Sequence, residues 1–562
     1  MRTRMMLSNR SKSCWTRSWL LPVAVLLLTF LVSPPVDGAT YYVATDGNDF
    51  DPGTENQPWL TIQHASDTMV AGDSVFIRAG VYNEHVSTMS SGNISDHIVY
   101  SAYPGETPII DGTGVTESQN GIIVDRSYIK LLGLELRNWN DNGIWIQNAA
   151  YVEISDCEVH DVTFGIGVAS GTHDFEFNRT ETHNFDFYGF DVSPAGGADC
   201  YNGTFNDCVS HTGRDPQQNV DGFALGHGDQ YDFVFNRCET YDVYDGFDIS
   251  SRNTTLNRCS AHDTWNGGYK IWEDSVTLVN CIGYHNSIVN LELDWDGESG
   301  TTTLWNCTFM DAQVFNIAIE DTADHLEMYN CILAGGDNIG LLFGQTGVNN
   351  YSGDHNLFHN DNQYRAIVVG YEDEFTLGQV DSGAWMTYSG QDSNSLAAYS
   401  STGLFVDPAN YDLHLLETSP AVDHGTSNGA PSEDYDGNPR PQGGGYDIGA
   451  YEYGLVGIGG DELSNPIPFN YNLFQNYPNP FNPMTTIEVL IPEHLSGKTT
   501  LIVYDIRGRK IRTLIDSELK PGRHSIAWDG RNDEGGRVPS GIYLCTMRHG
   551  GRAYTRKMNL LK

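Results

Sequence analysis

The chain has little positive charge. Lys and Arg number 31 against 73 Asp and Glu, a formal net charge of −42 over 562 residues. So acidic a protein is a poor partner for nucleic acid, whose phosphates are held by clustered Lys and Arg. Charged residues of both signs make up only 19%, and no long segment keeps an apolar period near 3.6 residues, so little helix is expected. Long apolar runs are missing after the N-terminus, which excludes a membrane span in the body of the chain. The one apolar run, Leu20 to Val32, is short for a span and follows the basic residues Arg2, Arg4, Arg10, Lys12 and Arg17. With small residues at Gly38 and Ala39 it reads as a signal peptide over 1–38, and so as a secreted or cell-surface protein without a retained membrane span.

Cysteine is sparse and regularly placed. Of ten residues, Cys14 leaves with the signal peptide, and most of the rest recur in one motif. Ile154-Ser155-Asp156-Cys157, Phe205-Asn206-Asp207-Cys208, Phe235-Asn236-Arg237-Cys238, Leu256-Asn257-Arg258-Cys259, Leu278-Val279-Asn280-Cys281, Leu304-Trp305-Asn306-Cys307 and Met328-Tyr329-Asn330-Cys331 align, with Thr180 replacing Cys in Phe177-Asn178-Arg179-Thr180. Successive positions lie 21 to 30 residues apart, the period of one solenoid coil. A second column runs between them, through Gly143-Ile144-Trp145-Ile146, Gly189-Phe190-Asp191-Val192, Gly222-Phe223-Ala224-Leu225, Gly246-Phe247-Asp248-Ile249, Gly268-Tyr269-Lys270-Ile271 and Asn290-Leu291-Glu292-Leu293. The first and third residues after the Gly or Asn are apolar and face inward; the second faces outward, because side chains alternate across a strand.

Two short strands per period with turns between them predict an all-β chain, a right-handed parallel β-helix, over residues 39–453. Within it, 39–115 is a cap with the first coils, 116–345 the regular coils and 346–453 the terminal coils. The Cys column is expected to be an inward stack without disulfides, since stacked side chains run parallel and a disulfide needs a specific geometry. Asn before Cys suits a turn, because Asn tolerates a left-handed backbone. A column of His160, His183, His211 and His262 reads as a stacked ladder rather than a metal site. A Gly-rich linker at 454–467 leads to 468–562, whose short alternating strands with turn signals predict a small Ig-like β-sandwich.

The outward column carries the chemistry. Asp248, Lys270 and Glu292 are 22 residues apart, so they stack on one face at about 4.8 Å per coil. Asp221 and Asp245 precede the Gly of their coils, Asp191 lies further back, and Asp294 and Asp296 lie just beyond Glu292. Carboxylates on adjacent coils can hold a hard cation such as Ca²⁺. A Lys beside such a cation has its ammonium form disfavoured and can act as a general base. Trp145, Trp265, Trp272 and Trp295 are candidates to stack on sugar rings.

These motifs resemble those of polysaccharide lyase family 9, the pectate lyase-like β-helix proteins, which carry Asp-Gly-Phe-Ala, Asp-Asp-Gly-Trp-Asp and Gly-Phe-Lys on successive coils. Asp221-Gly222-Phe223-Ala224, Tyr244-Asp245-Gly246-Phe247-Asp248 and Gly268-Tyr269-Lys270 are the corresponding stretches. The N-terminal stretch from Tyr41 through Pro58-Trp59-Leu60-Thr61 to Val81-Tyr82 is similar to the family's cap. The resemblance implies Asp221, Asp245 and Asp248 as Ca²⁺ ligands and Lys270 as the catalytic base; Glu292, Asp191 and Trp272 are the candidates to touch substrate. It further implies cleavage of pectate or a related acidic polysaccharide by β-elimination; the chain is expected to be a monomer. Tyr244 stands where the family has an Asp, leaving Asn219 and Asp242 as candidates to compensate. Residues 468–562 resemble the C-terminal sorting domains of type IX secretion, which share a fold with the Ig-like domain of hook-capping proteins; this implies the secretion machinery as a partner. Two other functions fit the same scaffold. One is a glycoside hydrolase or uronan epimerase, with Asp191, Asp248 and Glu292 as candidate carboxylates. The other is a non-catalytic polysaccharide-binding adhesin.

Overall fold

The computed structural model describes residues 38–454, apart from 117, 195–196, 227–229, 294–299, 320–324, 336–338, 345–346, 361–364 and 371. It then describes 472–473, 481, 484–491 and 498–560, apart from 506, 508, 521, 534, 550 and 551. Residues 1–37 of the expected signal peptide and most of the Gly-rich linker, together with Asp294, Trp295 and Asp296, lie outside the described residues.

The first domain is a parallel β-solenoid of about 11 turns. One strand of each coil joins a 13-stranded parallel sheet that includes Ala150–Ser155, His173–Asn178, Tyr201–Asn206, Tyr231–Asn236 and Thr254–Asn257. The coil holds three strands in its regular part rather than the two expected. The Cys motif is a corner: one strand ends, a single residue turns, and a second strand such as Glu239–Tyr241 or Ser260–His262 begins before the Gly-column strand. The turning residue has a left-handed backbone in every such coil, with φ between 50° and 57° from Asp156 to Asn330. In the early coils that residue is Asp or Arg, not Asn. Asn stands one place earlier, where Asn206 donates to Asn178, Asn236 to Asn206 (both 2.9 Å) and Asn257 to Asn236 (3.3 Å).

In the later coils Asn280, Asn306 and Asn330 take the turning position themselves, and the terminal segment explains the switch. Asn280 Nδ2 donates to the Glu433 carbonyl (2.8 Å), Asn306 Nδ2 to the Asp447 carbonyl (3.0 Å) and Asn330 Nδ2 to the Thr426 carbonyl (2.9 Å). The side chains that make the corner thus fasten the returning tail to it. Arg440 and Glu452, fully buried, pair at 2.6 Å within that tail. At the other end the helix Ile62–Thr68, N-capped by Thr61, buries Ile62 and Ala65 against the first coil.

Packing inside the coils is a set of ladders. Phe190, Phe223, Phe247 and Tyr269 stack with centroids 4.8, 4.9 and 5.1 Å apart, each pair worth about 0.5–1.5 kcal/mol beyond burial. The cysteines of the motif are buried, and every cysteine among the described residues is free, as expected. The Gly column marks where coils approach most closely: a Cβ at Gly246 would lie 2.5 Å from the Gly268 carbonyl oxygen. Where Gly gives way to Asn, a buried amide ladder fills the wider corner. Asn286 donates to Asn290 and Asn290 to Asn316, both at 2.7 Å.

The His column is a ladder as well. His160, His183 and His211 stack at 4.8 and 5.2 Å, and Tyr241, His262 and Tyr284 continue the stack. Each His reaches back one coil to a carboxylate: His160 to Glu135, His183 to Glu158, His211 to Glu181 and His262 to Glu239. Glu158, His160 and His183 bring three ligand-type atoms within 4.8 Å of one another. The hydrogen bond to Glu135, then that to Asp161, raise the His160 pKa against the effect of burial.

The second domain is an antiparallel sandwich. Thr485–Ile491 pairs with Gly522–Trp528 in one sheet; Lys498–Asp505, Lys510–Glu518, Gly541–His549 and Arg552–Leu560 form the other. Val489, Leu501, Val503, Trp528, Cys545, Met547 and Met558 make its core. Among the described residues no helix is long and apolar enough to cross a membrane.

Two outcomes are expected. Asn290→Ala leaves buried partners unsatisfied, at about 1–3 kcal/mol for each orphaned group, and should lower the denaturation midpoint accordingly. Burial opposes a charge on His262, but hydrogen bonds to Asp263 and Glu239 outweigh it and hold the pKa at about 9 against an ordinary 6.5. A raised histidine pKa contributes stability that is fully present below 6.5 and lost as pH rises through about 9. His262→Gln should therefore cost most at pH 6 and least above pH 9 in thermal denaturation.

Candidate active site

Coil stacking turns two sequence columns into the floor of one outward face. Register pairs Trp145 with Gly167, Gly167 with Asp191, Asp191 with Ala224, Ala224 with Asp248, Asp248 with Lys270 and Lys270 with Glu292. Beside it runs the residue before each Gly: Asn142 pairs with Phe164, Phe164 with Tyr188 and Tyr188 with Asp221, and Asp245 follows one coil on. The predicted column of Asp248, Lys270 and Glu292 is therefore in place. It is half-buried rather than freely exposed.

Lys270 sits at the centre. Its Nζ is 3.9 Å from Glu292 and lies over the Trp272 ring at 4.5 Å. Trp272 Nε1 donates to Asp248 at 2.6 Å. One tryptophan thus orients the carboxylate and covers the amine. Asp221 and Asp245 are fully buried. Asp221 accepts from Asn219 (2.9 Å) and from the Asp245 amide (3.3 Å); Asp245 accepts from Asn266 Nδ2 and the Gly267 amide, both at 2.8 Å. Gly267 permits this approach, for a Cβ there would stand 3.0 Å from Asp245 Oδ1.

The electrostatics are those of an acid cluster with one cation. Burial, then the charges of Asp245 and Asp248, push Asp221 well above the usual carboxylate range, while Lys270 pulls it back. Burial also raises Asp245, against the hydrogen bond from Asn266 and the charge of Lys270. Asp191 is pushed up to about 7 by burial. The donors are all oxygens, the chemistry of a hard divalent cation. Among the described residues these three carboxylates, of Asp221, Asp245 and Asp248, are not a group whose ligand atoms all lie within 4.8 Å of one another.

The departures from the family motifs separate cleanly. Phe247 and Tyr269 point inward in the aromatic ladder, and the Tyr269 hydroxyl is within 2.8 Å of the Cys259 carbonyl. Neither touches the site. Tyr244 is half-buried against the apolar core, so its ring supplies packing in place of a carboxylate. Of the two candidates to compensate, Asn219 is at the site, on Asp221, whereas Asp242 accepts from Trp265 Nε1 at 3.1 Å. Sequence reasoning missed Tyr188, which lies among Asp221, Asp191 and Asp248 and is hydrogen-bonded by Asn219. Its signal was available: it precedes Gly189 as Asp221 precedes Gly222. It also missed Asn266, which holds Asp245.

Comparison with known proteins bears on this face. Residues 41–301 match the model of the Pel9A-like right-handed β-helix region. Every residue of the face described above lies within that span. Residues 486–551 match the Ig-like domain of FlgD, which matches the sandwich and carries no type IX assignment. Pectate lyase PEL9 of Emericella nidulans is 29% identical over 262 residues, 45% of this chain; the chain spans 58% of that relative's length. The basal-body rod modification protein FlgD of Salmonella typhimurium is 41% identical over 58 residues, 10% of this chain and 25% of that protein. The crystal structure of pectate lyase Pel9A aligns over 74% of this chain and 97% of its own at 16% identity, with a TM-score of 0.44.

The raised Asp191 pKa has a measurable consequence. A carboxyl group moved from 3.8 to about 7 contributes stability below 3.8 that is lost as pH rises through 7, where an ionised carboxylate stays buried. With chelator present, Asp191→Asn should melt higher than the wild type at pH 8, and the difference should shrink toward pH 5.

Proposed function

We propose that the protein is a secreted, calcium-dependent polysaccharide lyase that cleaves pectate or a related polyuronate by β-elimination. The observation that carries this reading is the placement of Lys270 between Asp248 and Glu292, one coil above buried Asp245 and two above buried Asp221, both of which it influences electrostatically. The likeness of residues 41–301 to the Pel9A-like region supports it. Asp221, Asp245 and Asp248 are the residues to hold Ca²⁺, with Asn219 and Tyr188 as neighbouring oxygen donors. Bound there, Ca²⁺ would neutralise the substrate carboxylate and make the adjacent C5 proton more acidic.

The chain's own groups then have distinct tasks. With a cation held beside it, Lys270 would lose its proton more readily, and the neutral amine takes the C5 proton at Nζ. The electrons of that C–H bond form the C4=C5 double bond as the C4–O bond breaks, and the departing glycosidic oxygen takes a proton from water to become the hydroxyl of a new reducing end. Trp272 keeps Asp248 and Lys270 in fixed relation. Asn266 and the Gly267 amide hold Asp245. The acidic surface is no obstacle to an acidic substrate when a cation stands between them. The C-terminal sandwich, on its resemblance, serves export or attachment rather than catalysis.

One observation favours a second reading. Asp191, held near 7, suits a general acid, and hydrolysis needs such a group paired with a second carboxylate.

The test is incubation with polygalacturonate and other uronans at alkaline pH, with Ca²⁺ or chelator, followed in the ultraviolet. Unsaturated product that depends on Ca²⁺ is expected, and Lys270→Ala should reduce the rate on the order of 10²–10⁴-fold. Reducing ends without unsaturation would replace elimination by hydrolysis, and sugar binding without turnover would leave an adhesin. Ca²⁺ should also raise the melting temperature more at pH 8 than at pH 5, because the ligands must shed protons to bind it; Asp245→Asn should abolish most of that gain.

A further inference from the structure

The same face continues three to six coils below Lys270, roughly 14–29 Å at about 4.8 Å per coil, and there its chemistry changes. A cavity of about 360 Å³ opens over these coils, lined by Asn120, Asp141, Asn142, Trp145, Phe164 and Asp191. That volume falls within the range of small-ligand sites. Its floor is built to hold an indole. Trp145 lies down on Gly167, where a Cβ would stand 2.6 Å from the ring and 2.4 Å from Asn142 Oδ1. Asn142 is 5% exposed and donates to both Asn120 and Asp141 at 3.1 Å, while its Oδ1 has no partner among the described residues.

An aromatic plate beside amides and carboxylates is the chemistry that recognises a sugar ring, with C–H groups on the indole and hydroxyls donating to oxygens. Among the described residues no Lys, Arg or His lines the cavity. A uronate carboxylate placed there would face Asp141 and Asp191 with no protein cation beside it. At Lys270 the reverse holds.

We propose that this cavity is a carbohydrate subsite for an uncharged pyranosyl residue, carried by the same chain whose uronate reaches Lys270. The proposal deepens the lyase reading and rests on it for the second half of that statement. It makes the substrate a polymer in which neutral or methyl-esterified residues accompany free uronate, and requires a chain several sugars long to fill both places.

Calorimetric titration in chelator tests the cavity without turnover or Ca²⁺. The probes are a neutral galacto-oligosaccharide, a methyl-esterified oligogalacturonate and the same oligogalacturonate de-esterified. Binding of a neutral or esterified probe is expected, at least tenfold tighter than the free uronate; which of the two binds identifies the source. Trp145→Ala and Gly167→Ala should each weaken it about tenfold, and Trp145→Phe should retain it, with melting curves confirming that the variants fold. Equal or tighter binding of the free uronate, no binding of any probe, or binding indifferent to Trp145 and Gly167 would each overturn the proposal. Should the cavity bind as expected while the enzyme releases no unsaturated product, the subsite stands and the lyase reading falls.

Discussion

Backbone hydrogen bonding between successive coils holds each residue directly above its counterpart, and the rest of the molecule follows from that constraint. A side chain placed once becomes a column when repeated. Inward columns become the Phe and Cys stacks, and outward columns become the face that carries Lys270. The constraint also sets what a coil can accept. Where backbones come within contact only Gly fits, as at Gly246; where the corner widens, buried Asn amides must satisfy one another.

The candidate site is two carboxylates taken out of water and a third tethered by an indole. Burial makes Asp221 and Asp245 reluctant to ionise, and one Lys does not balance three aspartates. Such a cluster either keeps protons or takes a cation, so its charge state is coupled to what it binds. Trp272 matters because it touches both Asp248 and Lys270. Tyr244, where the motif has Asp, is a packing residue, and the site's remaining oxygens come from Asn219, just before the strand Asp221–Leu225, and from Tyr188 on the strand one coil below.

Farther down the same face the column passes from carboxylate and amine to indole, amide and glycine. Gly167 is the hinge of that contrast: by lacking a side chain it lets Trp145 lie flat. A single rigid sheet thus presents two chemical surfaces to an extended polymer, at a spacing set by the coil rise.

Sequence alone determined the coil period, the inward Cys column, the Ig-like second domain and the stacking of Asp248, Lys270 and Glu292. All of these depend on strand alternation and repeat spacing, which are local. It misjudged the number of strands per coil, because a one-residue left-handed turn leaves little mark when Asp, Arg and Asn can all make it. Only the tertiary structure decided that Asn280, Asn306 and Asn330 fasten the tail, that Asn219 rather than Asp242 joins Asp221, and that Tyr188 faces the carboxylates. Those contacts join segments from about 30 to more than 140 residues apart, or depend on which way a half-buried side chain turns, and neither is written in spacing.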